Sequence, residues 1–256
     1  MKIRVMSDLH LEFEEANIHP GEGDVLVLAG DIITAADAGS SKLGRKFDTF
    51  FRQAVEGYNK VFYVMGNHEH YNGFFELTER KLRDVLPAGI TLLQNQSELY
   101  EGVHFVGASL WTDFEGGDGS SMLYAQQHMN DYHVIHSTDG YEPLSPSQTL
   151  NSHSETMSWF RQCLPTLRGK VVVITHHAPC FSSFDEGYRE EEARSAYVTN
   201  LSKFVRDHPN ITNWFHGHVH TSKDYMLGQC RVTANAHGYA GCDTNIAFDD
   251  QLEVDV

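Results

Sequence analysis

Five short apolar runs punctuate the chain, and each ends on residues of metal-ligand type. Residues 2–6 lead into Ser7-Asp8-Leu9-His10, 25–29 into Gly30-Asp31, and 61–65 into Gly66-Asn67-His68-Glu69. Residues 171–175 lead into His176-His177, and 211–215 into His216-Gly217-His218-Val219-His220. Continuous Val/Ile/Leu runs closed by turn residues predict strands covered on both faces. Helical patterns lie between them. Leu43, Phe47, Phe50, Phe51 and Ala54 fall on one helical face. Residues 78–86, 159–164 and 201–205 predict three more helices, each followed by a proline (Pro87, Pro165, Pro209). Strands alternating with helices predict a layered α/β fold. Residues 103–111 and the tail 223–256 read as β meanders able to build a second sheet. From Thr112 to Gln148 the pattern turns polar, and a connection of that length is a lid, a binding loop or a solvated excursion.

Composition narrows the function. The chain has 256 residues, with 19 Lys+Arg against 35 Asp+Glu and a net charge of −16. That balance disfavours binding along a nucleic-acid backbone, which needs clustered cations. The longest apolar runs fall far short of the ~18 residues of a membrane span. Ser7-Asp8-Leu9-His10 follows Lys2 and Arg4 too soon to leave room for a signal-peptide core, so the expected location is the cytoplasm. Cys163, Cys180, Cys230 and Cys242 are widely spaced, which argues against a disulfide framework or a zinc–thiolate site. Neither patterning nor charge specifies an oligomeric state. The 16 histidines point elsewhere.

Asp8 and His10 are two apart, as are His218 and His220, and in extended chain such pairs point to one side. All five groups lie at the carboxyl ends of predicted strands, where open α/β sheets place their sites. Asp, Asn and His without a thiolate suit divalent Mn, Fe, Co, Ni or Zn.

Taken in order, Asp8-Leu9-His10, Gly30-Asp31, Gly66-Asn67-His68-Glu69, His176 and Gly217-His218-Val219-His220 resemble the signature of the calcineurin-like metallophosphoesterases. The resemblance implies one domain over residues 1–256, with a polar insert at about 112–148. It implies a four-layer α/β/β/α sandwich of two mixed sheets with the metal site at strand ends. It further implies that Asp8, His10, Asp31 and His220 hold one divalent metal ion. Asp31, Asn67, His176 and His218 hold the second, with Asp31 bridging and His176 preferred to His177. Two divalent ions, less Asp8, Asp31 and a bridging hydroxide, leave roughly one positive charge to attract phosphate. His68 resembles the family's catalytic histidine, which donates a proton to the leaving oxygen or stabilises the transition state. The implied activity is hydrolysis of a small phosphoester, a phosphodiester or a phosphomonoester, through the bridging hydroxide; a nuclease or a non-catalytic metal-binding scaffold of the same family are the alternatives.

One stretch departs from the family. The protein Ser/Thr phosphatase branch resembles Gly-Asp-x-x-Asp-Arg, its Asp orienting the catalytic histidine and its Arg gripping phosphate. Here the stretch is Gly30-Asp31-Ile32-Ile33-Thr34-Ala35. Losing both lowers the protein-phosphatase reading and favours diesters or small activated esters. Weaker candidates are His237, at the metal rim or in a plain turn, and His70 and Tyr71, lining a pocket or packing. Arg189 and Arg194 lie among glutamates and read as surface ion pairs. His128, His133, His136 and His153 read as mostly solvated.

Overall fold

A computed structural model describes residues 1–13, 16, 18–39, 42–138, 141–184 and 191–256, and the statements below concern those residues. The first sheet begins with β1 (Lys2–Met6) and β2 (Gly23–Ala29), crosses through α1 (Leu43–Gly57) to β3 (Tyr58–Val64), then through α2 (Thr78–Val85) to β4 (Ile90–Leu92). These four strands run parallel in the order β1-β2-β3-β4. The chain then enters a second sheet by a hairpin of β5 (Gln96–Tyr100) and β6 (Val103–Ala108).

The stretch after β6 holds α3 (Phe114–Gly117), α4 (Gly119–His128) and α5 (Asp131–Val134), followed by the long α6 (Pro146–Cys163). β7 (Lys170–Thr175) follows, then α7 (Glu191–Tyr197), α8 (Ser202–Asp207), β8 (Ile211–His216), β9 (Lys223–Leu227) and β10 (Cys230–Ala234). The second sheet is ordered β5-β6-β7-β8-β10-β9, with a parallel centre and antiparallel edges. A two-stranded ribbon of β11 (Gly238–Tyr239) and β12 (Asp243–Thr244) precedes β13 (Glu253–Asp255), which pairs antiparallel with β1 and makes the first sheet mixed as well.

Alternation along each strand explains the layering. Ile3, Val5, Val25, Val27, Phe62 and Val64 face inward from the first sheet and meet Phe105, Val172, Ile174 and Phe215 of the second. Phe62 and Phe105 stack with centroids 4.1 Å apart at 18°. The opposite face of the first sheet (Leu26, Leu28, Val61, Tyr63) buries Phe47, Phe50, Phe51 and Ala54 of α1. Val106, Val171, Val173 and Trp214 of the second do the same with Met157 and Phe160 of α6. Helix, sheet, sheet and helix thus form the four-layer sandwich that the sequence implied.

Three expectations need correction. The tail is divided: β9 and β10 join the second sheet, whereas β13 crosses back to the first. The helix read at 159–164 is the end of the 18-residue α6. The insert is no polar loop, because Trp111, Phe114, Ala125, Met129, Tyr132 and Ile135 form a small core of their own.

Candidate metal centre

Each chemical residue stands just beyond a strand: Asp8 and His10 after β1, Asp31 after β2, Asn67 and His68 after β3, His176 after β7, His218 and His220 after β8. The chain does not leave those strands in extended form. Asp8, His10, Asp31, His218 and His220 all have positive φ, between 45° and 71°. A non-glycine residue in that region costs on the order of 1 kcal/mol. Five such residues in one place are held by a mesh of hydrogen bonds. The Asp8 amide donates to the Gly30 carbonyl (3.0 Å), the His10 amide to the Asp31 carbonyl (3.0 Å) and the Gly217 amide to the His176 carbonyl (3.0 Å). The i, i+2 pairs therefore converge through tight left-handed turns, not through the extended chain the spacing suggested.

Glu69 clamps two of these turns. Its carboxylate accepts from the amides of Asp31 (3.0 Å), Ile32 (2.8 Å) and Gly66 (2.6 Å) and from the Tyr63 hydroxyl (2.5 Å). Burial and the neighbouring Asp31 charge push its carboxyl upward, while these donors favour the ionised form. Two glycines are dictated by the same crowding. A Cβ on Gly66 would fall on Asp31 Oδ1, and one on Gly217 on Asp8 Oδ2.

The side-chain atoms meet in two adjoining sets. In the first, His10 Nε2 lies 3.2 Å from His220 Nε2 and 3.8 Å from Asp31 Oδ2, and His220 Nε2 lies 3.5 Å from Asp8 Oδ1. In the second, His176 Nε2 lies 3.0 Å from Asn67 Oδ1, 3.2 Å from His218 Nδ1 and 3.3 Å from Asp31 Oδ2. Asp31 Oδ2 belongs to both.

The far nitrogens fix what these atoms carry. His176 Nδ1 donates to the Ala29 carbonyl (2.9 Å), His10 Nδ1 to Glu12 (3.1 Å) and His220 Nδ1 to Asp243 (3.3 Å). Each Nε2 is then left with a lone pair in the neutral ring. Asn67 turns its Oδ1 to His176 Nε2 (3.0 Å). Lone pairs therefore face lone pairs at both sets, an arrangement that repels itself unless a cation stands between them. Without a metal ion, a proton on His176 takes the cation's place at the second set. Burial disfavours charge on His176, yet Asp31 outweighs it and pushes the imidazole up to about 10. The residues present fit divalent cations.

His68 stands beside both sets. Its amide donates to Asp31 Oδ1 (2.8 Å), its Nδ1 to Glu12 Oε1 (3.0 Å), and its Nε2 meets the Tyr239 hydroxyl (3.0 Å). Its ring stacks on Tyr71 with centroids 3.9 Å apart. Burial works against a proton here, but the charges of Asp31 and Glu12 prevail and raise the pKa.

A cavity of about 260 Å³ opens over the two sets, lined among others by Asn67, Tyr71, Asp131, Tyr197, His218 and Tyr239. Asp131 comes from the insert, so that segment forms one wall. Its carboxyl is buried, and burial pushes it up to about 6.

The remaining candidates part company with the centre. His177 turns its Nδ1 to the Ser109 carbonyl (3.3 Å) and packs on Trp111. His237 lies edge-on to Phe248, and Tyr239 from the same turn enters the site instead. His70 is buried against Phe75 and Trp111, whereas Tyr71 lines the cavity. Arg194 pairs with Glu115 (3.2 Å), and Arg189 lies outside the described residues. His128 and His133 are exposed and His136 is half-buried, but His153 is buried and donates to the Leu110 carbonyl (3.1 Å). That corrects its reading as solvated.

Glu12, Glu69, Asp131 and Tyr239 escaped the sequence reading. Glu12 and Glu69 left a signal, Glu12 as the third polar residue of the alternation Asp8-x-His10-x-Glu12 and Glu69 as the last residue of the motif Gly66-Asn67-His68-Glu69, but neither pattern gave a role.

Comparison with known proteins places this geometry in a class. The family model described as calcineurin-like phosphoesterase matches residues 1–222, and the chain belongs to that family. An uncharacterized protein, L509, of Acanthamoeba polyphaga mimivirus is 25% identical over 267 residues, covering 93% of this chain and 91% of its own. Among solved structures, the phosphopantetheinyl hydrolase of Mycobacterium tuberculosis superposes with a TM-score of 0.70 at 17% identity, over 93% of this chain and 89% of that one. TT1561 of Thermus thermophilus gives 0.52 at 13% identity, over 92% and 88%. These two likenesses are of fold. No helix among the described residues is long and apolar enough to cross a membrane.

Proposed function

We propose that the chain is a two-metal phosphohydrolase acting on a phosphodiester or a small phosphomonoester. Asp8, His10, Asp31 and His220 hold one divalent cation; Asp31, Asn67, His176 and His218 hold the other. The observation that carries this reading is the meeting of lone pairs at two points that share Asp31 Oδ2. When bound, the cations supply positive charge for the phosphoryl oxygens and acidity for the attacking water. Manganese, iron, cobalt, nickel and zinc all suit the nitrogen and oxygen donors.

The chain's own residues do the rest. Glu69 and the hydrogen-bonded turns hold the donors rigid, so little is spent on ordering them when the phosphoester arrives. His68, whose Nε2 meets the hydroxyl of the cavity-lining Tyr239, protonates the leaving oxygen. A diester is favoured over a dianionic monoester on two grounds. Thr34 and Ala35 stand where the phosphatase branch has Asp and Arg. The Asp131 carboxyl in the cavity wall repels a second negative charge.

The test is an ester panel run on protein stripped by chelation and reloaded with Mn, Co or Ni. Stripping abolishes hydrolysis, reloading restores it, and bis(p-nitrophenyl) phosphate is cleaved faster than p-nitrophenyl phosphate. Activity that survives exhaustive chelation refutes the metal mechanism; a reversed ester order refutes the diester preference alone.

A further inference from the structure

The carboxylate that would steady His68 is missing from its place in the phosphatase pattern, where Thr34 instead donates through Oγ1 to Asp37 (2.6 Å). A carboxylate nevertheless reaches the ring from another part of the chain. Glu12 Oε1 accepts from His68 Nδ1 (3.0 Å) and from His10 Nδ1 (3.1 Å). Its side chain is 13% exposed, and both rings are buried. One oxygen therefore ties a member of the first ligand set to the imidazole next to it, and the two rings lie edge to face with centroids 4.3 Å apart. Tyr71 stacked on the other side of His68 leaves that ring little freedom except rotation about its own bonds, and the Glu12 contact removes it.

We propose that Glu12 is the positioning residue for His68, keeping the proton on Nδ1 and aiming Nε2 at the leaving oxygen. The inference rests on the phosphoesterase reading for its kinetic consequence and on hydrogen-bond geometry for the rest. In the step concerned, water adds its oxygen to phosphorus. The bond from phosphorus to the leaving oxygen breaks with its electron pair on that oxygen, which takes the Nε2 proton of the His68 imidazolium and leaves a neutral ring with its Nδ1 proton still donated to Glu12. The proton released by the attacking water restores His68. A misaimed ring harms this step most when the leaving group is a poor one.

The kinetic test compares wild type, Glu12→Gln, His68→Ala and the double variant, all at full metal occupancy verified by elemental analysis. The substrates are methyl aryl phosphates running from p-nitrophenyl to phenyl. Glu12→Gln lowers kcat on the phenyl ester roughly tenfold more than on the p-nitrophenyl ester, within the range of general-acid effects. In the His68→Ala background it lowers kcat no further. A uniform loss across the esters, or losses that multiply in the double variant, overturn the proposal and put Glu12's effect on His10 and the cation instead.

A second measurement does not depend on turnover. In proton–nitrogen spectra of the Zn-loaded protein, His68 gives a hydrogen-bonded Nδ1–H resonance, identified by its loss in His68→Ala, that shifts or vanishes in Glu12→Gln. Absence of that resonance from the wild type overturns the positioning role whatever the activity. Its presence in a protein inert towards every ester upholds the positioning and refutes the phosphoesterase reading.

Discussion

A single methyl group tests how tightly the centre is built. Because a Cβ on Gly217 would fall on Asp8 Oδ2, Gly217→Ala must push that carboxylate out of the first ligand set. The expected result is weaker or substoichiometric metal binding by elemental analysis, with about 1–3 kcal/mol of overpacking cost in denaturant titrations. Unchanged stoichiometry and stability would contradict it. Asp31→Ala is the more severe change, since Oδ2 is common to both sets, and it should abolish binding of both ions.

His70 and the equally buried His216 both contribute to the pH dependence, and His70 is the simpler to test because it lies apart from the ligand sets. Burial lowers its pKa from 6.5 to about 4, so the folded protein keeps it neutral where the unfolded chain would protonate it. Its contribution is fully present above pH 6.5 and is lost as the pH falls from 6.5 towards 4. The loss amounts to about 3 kcal/mol. Denaturant midpoints measured across that window should fall, and His70→Phe, which keeps a ring against Phe75 and Trp111, should flatten the slope.

Among the elements, α6 shows what patterning reveals and what it hides. Its end was legible because Trp159, Phe160 and Leu164 cluster before Pro165. Its beginning was not, because Asn151, Ser154 and Glu155 face solvent and hide the period. The start is set by Ser145, Pro146 and Gln148: Gln148 Oε1 accepts from the Ser145 amide (3.0 Å) and hydroxyl (2.9 Å). Ser145→Ala should cost about 1 kcal/mol in an unfolding titration. The five strands leading to the centre were legible because covering on both faces forces unbroken apolar runs. Short edge strands such as β4 and β13 carry too few residues for that signal. The residues that meet at the centre were readable from their motifs. The roles of Glu12, Glu69 and Asp131 were not, since a buried carboxylate that serves a neighbour looks in sequence like any surface acid.

At the scale of the molecule, the centre takes Asp8, His10, Asp31 and Asn67 from the first sheet and His176, His218 and His220 from the second. Cations held there would staple the two halves of the sandwich. Anything that binds the folded state alone raises its stability, by about 3 kcal/mol at roughly 100-fold excess over Kd. Adding Mn, Co or Ni to stripped protein should therefore raise the thermal midpoint by several degrees, and Asp31→Ala should erase the gain. A midpoint indifferent to metal would mean that the ion does not bridge the sheets.

The stacked pair Phe62 and Phe105 lies several residues down the strands, deep between the same two sheets. It is one of the contacts that hold one sheet over the other, and the donor groups stand at the strand ends of those same sheets. Thinning that contact, as in Phe62→Leu, would let the upper layer settle on the lower and change the span between cations without touching any ligand. On the two-metal reading, the spacing between cations would thus be gauged from the middle of the sandwich.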